Sequence, residues 1–396
     1  MHPGKYSPSA ISLAVEALNS DVDSTSGLPW VTAFEEEFAR FTQSKFAIAV
    51  NSGTSGLHAA LMAAGVGPGD EVISPALTVI MDAFSTCYLG ATPVFADVDK
   101  DTWNIDPKVI ESLITTRTKA LIAVSWFGLP ANLPELRSIC DKYGLFLLDD
   151  SAETMDLNGL RNEISVLPDA RMYSFESKKH MSTGGEGGMV TTDNEQLAER
   201  IRKSAGLGYK HLTAGKGRTS LASRVFQNPD YERFDSIGLN YRMTPVTAAI
   251  GIGQLRNISQ LLNSRKANAK LMLDAIDGCS WLVPQPLSQD GIDHTYYTFG
   301  VNYKGDVARG VSWQEFYDRF CAMGGDGFYS NCKNPYLEPH FKGKKTSTQS
   351  FELGLCPVAE NLQSRIMAFK TNYLDQGSAR KQAEFLSILI DEIGRE

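Results

Sequence analysis

Five short apolar runs alternate with helical patterns over the first 150 residues. The runs are FAIAV at 46–50, EVIS at 71–74, PVFADV at 93–98, KALIAVSWFG at 119–128 and LFLLDD at 145–150. Helical spacing fills the intervals, over 57–64 and near 79–89, 107–114 and 132–142. A strand that is apolar throughout must be covered on both faces. Parallel strands also need a long crossover, usually a helix, to bring the chain back to the same end. The alternation therefore predicts an α/β fold, a mostly parallel sheet sandwiched by helices, with right-handed crossovers.

The pattern changes after residue 170. RMYSF and MVTTD read as two strands joined by a polar, glycine-rich loop, KKHMSTGGEGG. Residues 205–236 are polar and lack clear periodicity. A loop of that length inside a compact domain is usually functional or disordered. A long helical pattern runs from Thr244 to about Lys270, and shorter mixed α and β signals follow to residue 396.

The formal net charge is −8, an acidic excess that argues against a duplex-DNA partner. No uninterrupted apolar stretch is long enough to span a bilayer, so no membrane role is expected. The N-terminus lacks the basic start and apolar block of a signal peptide, and a cytoplasmic protein is expected. The six cysteines are scattered without a CxxC, and the six histidines form no HExxH, so neither disulfide framework nor metal site is expected. GxGxxG after the first strand, GxxxxGK[ST] and GxSxG are all absent.

Ligands of open α/β sheets sit beyond the carboxyl ends of the strands. Asn51, Ser52, Gly53, Thr54 and Ser55 follow the first strand and open a helix, where free N–H groups attract phosphate. Plain N-capping explains the same residues. Asp149 and Asp150 end an apolar strand, and a carboxylate there needs a partner. It either caps the next helix or meets a cationic ligand group. Lys178 and Lys179 lie between a strand and GGEGG. Most lysine pairs are solvated, but a desolvated lysine at a strand end is a candidate for Schiff-base chemistry.

In this order, NSGTSGLHAAL (51–61), GVGPGDEVISPALT (65–78), GATPVFADVD (90–99), LLDDSAET (147–154), SFESKKHMSTGGEGGMV (174–190) and IGLNYRMTPVTAAIGIGQL (237–255) resemble the DegT/DnrJ/EryC1/StrS family of pyridoxal-phosphate (PLP) sugar aminotransferases. The resemblance implies the fold-type I architecture of the aspartate aminotransferase superfamily. It divides the chain into an N-terminal arm (1–30), a large PLP-binding domain (31–265) and a small α+β C-terminal domain (266–396). It places the Schiff-base lysine at Lys179, not Lys178. Asp150 falls on the carboxylate that pairs with the pyridine nitrogen, and Glu153 on a residue, often Gln, near the ring. Ser52, Gly53, Thr54 and Ser174 fall on the phosphate cup. Asn240 matches a residue reaching the phosphate from the other subunit, which implies a homodimer with shared active sites.

Trp126, Arg242 and Lys210 are the substrate-side candidates. Lys210 belongs to a basic loop with His211, Lys216, Arg218, Arg224 and Arg233, which suits an anionic substrate or is simply solvated. Two positions depart from the family: Val79 stands where an aromatic usually covers the ring, leaving Leu77 as another cover, and Ser125 replaces a common His. The segment 324–341 is a further place where substrate choice would be set.

The resemblance implies transfer of an amino group from glutamate or glutamine to a keto sugar, by resemblance a nucleotide-linked one. Open alternatives are a smaller acceptor (an inosose or a phosphorylated ketose), a PLP-dependent sugar dehydratase, and a regulatory protein that keeps the fold without turnover. Lys179, rather than the dehydratases' His, favours transamination, although His180 is a common neighbour in the dehydratase branch. Burial and a nearby cation are expected to depress the Lys179 amine pKa.

Overall fold

The computed structural model describes residues 5–20, 29–155, 168–215, 223–289 and 291–396. Its main sheet is built from β1 (Phe46–Val50), β2 (Glu71–Pro75), β3 (Thr92–Ala96), β4 (Thr118–Val124), β5 (Phe146–Asp150), β6 (Ala170–Ser174) and β7 (Gly188–Thr192), in the spatial order β1-β7-β6-β5-β4-β2-β3. The pairings among β2, β3, β4, β5 and β6 are parallel. Only β7 runs against its neighbours, β6 and β1. β6 and β7 are joined by a thirteen-residue loop, residues 175–187, without the crossover helix that usually links parallel strands, and this loop carries the lysine pair.

Alternate residues of the central strands feed different cores. Val72, Ile122 and Leu148 point into one apolar cluster, and Ile73, Leu121 and Leu147 into another on the opposite face. All six are fully buried, which is why these strands read as continuous apolar runs. A third cluster joins Phe34 and Phe38 of helix Pro29–Thr42 to Tyr173 and Phe175 at the end of β6. Helix Pro8–Asn19 lies on helix Pro245–Leu255 so closely that a Cβ at Gly253 would come within 2.4 Å of the Ala10 Cα.

The helical pattern after Thr244 is two helices, Pro245–Leu255 and Ile258–Ala275, broken at Arg256 and Asn257. Beyond them, β8 (Leu282–Pro284), β11 (Thr298–Tyr303), β12 (Tyr329–Ser330) and β13 (Ile366–Lys370) form an antiparallel sheet, with a separate hairpin of β9 (Ser288–Gln289) and β10 (Ile292–Asp293). Trp281, Phe299, Phe316, Phe328 and Phe369 fill a core of its own. Residues 336–351 return to the main sheet, where Tyr336, Phe341 and Phe351 pack on Phe95 at ring distances of 5.5, 5.9 and 5.2 Å.

The stretch 205–236 has more order than its composition suggests. Its described arms pair through Gly206 with Asn240 and Tyr209 with Phe234, and a short helix spans Ser223–Phe226. Lys216 and Arg218 lie outside the described residues. Among the described residues, no helix is long and apolar enough to cross a membrane.

Candidate active site

The carboxyl end of β5 delivers two aspartates whose side chains, by strand alternation, point opposite ways. Asp149 accepts from Arg171 Nε of β6 at 2.5 Å and from Ser151 Oγ at 3.0 Å, deep in the protein. Both contacts fall on Oδ2, the first tying Asp149 to β6, while its buried Oδ1 meets no donor among the described residues. Asp150 accepts from the Ala152 N–H at 2.8 Å, and its carboxyl lies within hydrogen-bonding reach of that of Asp82. Burial pushes the Asp150 carboxyl well above the usual carboxylate range, the Asp82 charge adds to the rise, and the Lys179 ammonium opposes it.

The two lysines separate cleanly. Lys178 is exposed, with its ammonium 5.2 Å from the Tyr329 ring centre. The Lys179 side chain is 14% exposed, and its Nζ lies 3.0 Å from Glu153 Oε1 and 4.3 Å from the Tyr297 ring centre. Arg265, itself buried, donates to the Lys178 and Lys179 carbonyls at 2.7 and 3.0 Å, fixing the backbone at the point where one side chain goes in and the other out. A depressed amine is not what this geometry gives. Burial works against the charge, but the Glu153 carboxylate, with Tyr297 and Asp150, outweighs it and holds Lys179 above the ordinary lysine range. The reason is the ion pair, which composition around the loop did not reveal.

Glu153 is held at its far oxygen, where Oε2 accepts from the Phe127 N–H at 3.0 Å. Phe127 reaches that position in the left-handed region, φ 58°, a conformation costing about 1–2 kcal/mol for an L-residue. Gly128 follows at φ 103°, and its carbonyl accepts from the Thr295 N–H at 2.8 Å. Trp126 is buried, stacked on Phe127 at 4.8 Å, and its indole N–H has no partner among the described residues. Ser125 is buried and accepts from the Ala131 N–H at 3.2 Å. His180 meets the Thr295 carbonyl at 3.1 Å through Nε2; burial, with Arg265 adding, pulls its pKa well down, so it is a neutral donor.

At the end of β1, Ser52 caps helix Gly53–Ala63 by accepting from the Ser55 N–H at 3.1 Å. Capping and phosphate binding are therefore not exclusive: the Ser52 hydroxyl caps, while the Gly53 and Thr54 amides donate to nothing among the described residues. Ser174 closes the other side of this cup. A Cβ at Gly53 would stand 3.0 Å from the Ser174 Cβ and 3.2 Å from its Oγ, so glycine is what the close approach requires. Val79 is half-buried and Leu77 fully buried on the segment beyond β2.

Asn240 and Arg242 are exposed on a run that pairs with the end of β1, Asn51 N–H donating to the Tyr241 carbonyl at 2.8 Å. They lie next to the cup in sequence pairing, but outside the buried cluster of Asp150, Glu153 and Lys179. Lys210 is engaged within its own loop, with Nζ 3.5 Å from Glu232 and 4.9 Å from the Tyr231 ring centre.

Three residues of the cluster carried no signal in sequence. Asp82 sat in a helical pattern where a first-turn acid reads as helix-dipole decoration. Tyr297 and Arg265 belong to the later part of the chain and meet Lys179 only through the tertiary fold.

The comparisons with known proteins agree with this geometry. A profile of the DegT/DnrJ/EryC1/StrS aminotransferase family matches residues 8–371. The spore coat polysaccharide biosynthesis protein SpsC of Bacillus subtilis is 37% identical over 265 residues, 66% of this chain and 66% of its own. GDP-perosamine synthase of Caulobacter vibrioides is 38% identical over 237 residues, 60% of this chain and 59% of its own. The match thus spans less than two thirds of each of these two relatives, 66% and 59%. The X-ray structure of the aminotransferase from Psychrobacter cryohalolentis superposes with a TM-score of 0.85 at 27% identity, covering 99% of both chains.

Proposed function

The chain belongs to the DegT/DnrJ/EryC1/StrS aminotransferase family, with the fold-type I architecture, and from that premise we propose that it is a PLP-dependent aminotransferase acting on a keto sugar. The observation that carries the reading is the buried cluster in which Lys179, Asp150 and Glu153 face one another beside a cup of free helix-start amides.

The residues fit the cofactor. Gly53, Thr54 and Ser174 would hold its phosphate, because unpaired N–H groups at a helix start favour an anion. Asp150 would hold the ring nitrogen, since a buried carboxylate keeps a proton on a facing base. PLP supplies an aldehyde that condenses with amines and a ring that withdraws electrons from the carbon next to the amine nitrogen.

The chain's own residues do the rest. Lys179 would hold the cofactor, and its amine is placed to move a proton at the substrate carbon. Glu153 orients the Lys179 amine and stores its charge. Arg265 and the Gly128–Thr295 contact keep both side chains from drifting. The buried Trp126 and Phe127 wall the site against water.

For the acceptor, a nucleotide-linked keto sugar is supported by the name of one relative, GDP-perosamine synthase. Glutamate or glutamine is the amino donor we propose. A homodimer is supported by Asn240 and Arg242, exposed beside the cup, and by Ile11, Val15 and Leu18, an exposed apolar stripe along helix Pro8–Asn19. The deciding experiment is a half-reaction screen. The pyridoxamine form is offered a panel of nucleotide-linked keto sugars, an inosose and phosphorylated ketoses, and the visible spectrum of the PLP form is followed. Its return with a nucleotide-linked keto sugar supports the reading; return only with a smaller ketone replaces the acceptor, and return with none overturns the activity.

A further inference from the structure

We infer that Asp82 is a positioning residue for Asp150, the two carboxyls sharing one proton so that the pair presents a single negative charge to the cofactor ring. The inference rests on the proposed PLP chemistry for its purpose, but the shared proton is a property of the chain alone.

Both carboxyls are buried, Asp82 at 0% exposure and Asp150 at 3%. Asp82 lies in the first turn of helix Met81–Tyr88, and its Oδ2 accepts from the Thr78 hydroxyl at 2.7 Å. Its carboxyl lies within hydrogen-bonding reach of that of Asp150. Yet Asp82 Oδ1 is buried and meets no N–H or O–H donor among the described residues. An acceptor this deep without a donor is rare. A proton between the two carboxyls removes the anomaly, giving each acid a partner.

Charge leads to the same result. Two ionised carboxylates in contact, out of water, repel too strongly for both to persist, and one keeps its proton. The groups facing the pair are Thr78, the Ala152 N–H, Glu153 and Lys179. Of these only Lys179 is cationic, and Glu153 already neutralises it at 3.0 Å. One charge therefore remains on the pair, enough to match one protonated ring nitrogen. A second would leave an uncompensated buried anion.

Asp82 then works in two ways. With a protonated ring nitrogen facing Asp150, the retained proton would sit on Asp82, which then donates to Asp150 and fixes the carboxylate's rotation. It also tempers that carboxylate's pull on a ring proton, since a hydrogen bond to the charged form favours it. Asparagine reproduces both: its carbonyl accepts from Thr78 and its amide donates to Asp150, with the charge still single. Alanine reproduces neither.

The test has two arms. Infrared spectra of the cofactor-free protein at about pH 8, far above an ordinary aspartate pKa, should show the carbonyl stretch of a protonated carboxylic acid. Asp82→Asn and Asp150→Asn should each abolish it. Absence of the band in the parent protein, or its survival in Asp82→Asn, overturns the inference even if PLP binds normally. In the PLP-loaded protein, Asp82→Ala should lower kcat about tenfold or more, the scale of one lost hydrogen bond to a charged group, with little change in amino-donor KM. Asp82→Asn should recover most of that loss. If Asp82→Asn is as poor as Asp82→Ala, the positioning role is wrong. Failure of PLP to bind at all, with the infrared band present, would count against the proposed function and not against the pair.

Discussion

Replacing Gly128 by alanine tests the framework that holds Glu153 and, through it, Lys179. Gly128 sits at φ 103°, where an L-residue costs about 1–2 kcal/mol. A Cβ there would stand 2.7 Å from Thr295 Oγ1, 2.8 Å from the Tyr296 nitrogen and 2.9 Å from the Tyr297 nitrogen. Two of the three are backbone atoms and cannot rotate away, so overpacking adds about 1–3 kcal/mol. The sum is about 2–5 kcal/mol. Gly144, the left-handed cap of helix Leu133–Tyr143 at φ 66°, has nothing within 4 Å of a built Cβ and supplies the control. Its alanine variant carries only the conformational cost of about 1–2 kcal/mol. Guanidinium unfolding of both cofactor-free variants should show Gly128→Ala less stable than Gly144→Ala by at least ~1 kcal/mol. It should also show the larger loss of PLP affinity, because Thr295 and Tyr297 shift with the clash. Equal destabilisation of the two variants would refute the claim that the 126–128 turn is wedged against 295–297.

Other outcomes follow from the same geometry. Arg171→Leu strands the Asp149 carboxylate in the core and should cost about 3–5 kcal/mol by urea melts, most of it recovered in the Asp149→Leu/Arg171→Leu double variant. Glu153→Gln should lower stability by roughly 1–3 kcal/mol. Because Lys179 is raised in the folded state, the pair's contribution is fully present below the free-lysine pKa of about 10.4 and is lost only as pH rises beyond it, so the two proteins should converge in strongly alkaline melts. Asp82 behaves with the opposite consequence. Burial pushes it up to about 6, where the coupled pair releases the first of its two protons and keeps the second, so the folded chain loses stability as pH rises from about 4 to about 6. That loss corresponds to roughly 3 kcal/mol, and Asp82→Asn should flatten the slope over the same window.

The main sheet was legible because its strands are apolar on both faces, and residues such as Val72 and Ile73 do feed opposite cores. The β6–loop–β7 unit was legible as two strands, RMYSF and MVTTD, flanking a glycine-rich loop; their antiparallel pairing came only with the structure. What lay beyond sequence was contact between distant segments. Nothing around KKHMS announces that Glu153 will stand 3.0 Å from Lys179; burial and a nearby cation pointed to a depressed amine, whereas in the chain itself the Glu153 ion pair raises it. Asp82 was invisible for a related reason. An acid in a first helical turn is ordinary on a surface, and only the tertiary fold, which buries the start of helix Met81–Tyr88 beside the Asp150 carboxyl, turns it into a partner of Asp150. The arms of the 205–236 loop pair through backbone groups, which leave no apolar periodicity to read.

The most direct measurement is to load the chain with PLP, reduce it with borohydride, digest it and locate the pyridoxyl group by mass spectrometry. Attachment to Lys179, with Lys178 unmodified and the visible absorption band lost in Lys179→Ala, is the predicted result. Attachment at Lys178 or any other lysine, or a band that persists in Lys179→Ala, would contradict the assignment on which the rest is built.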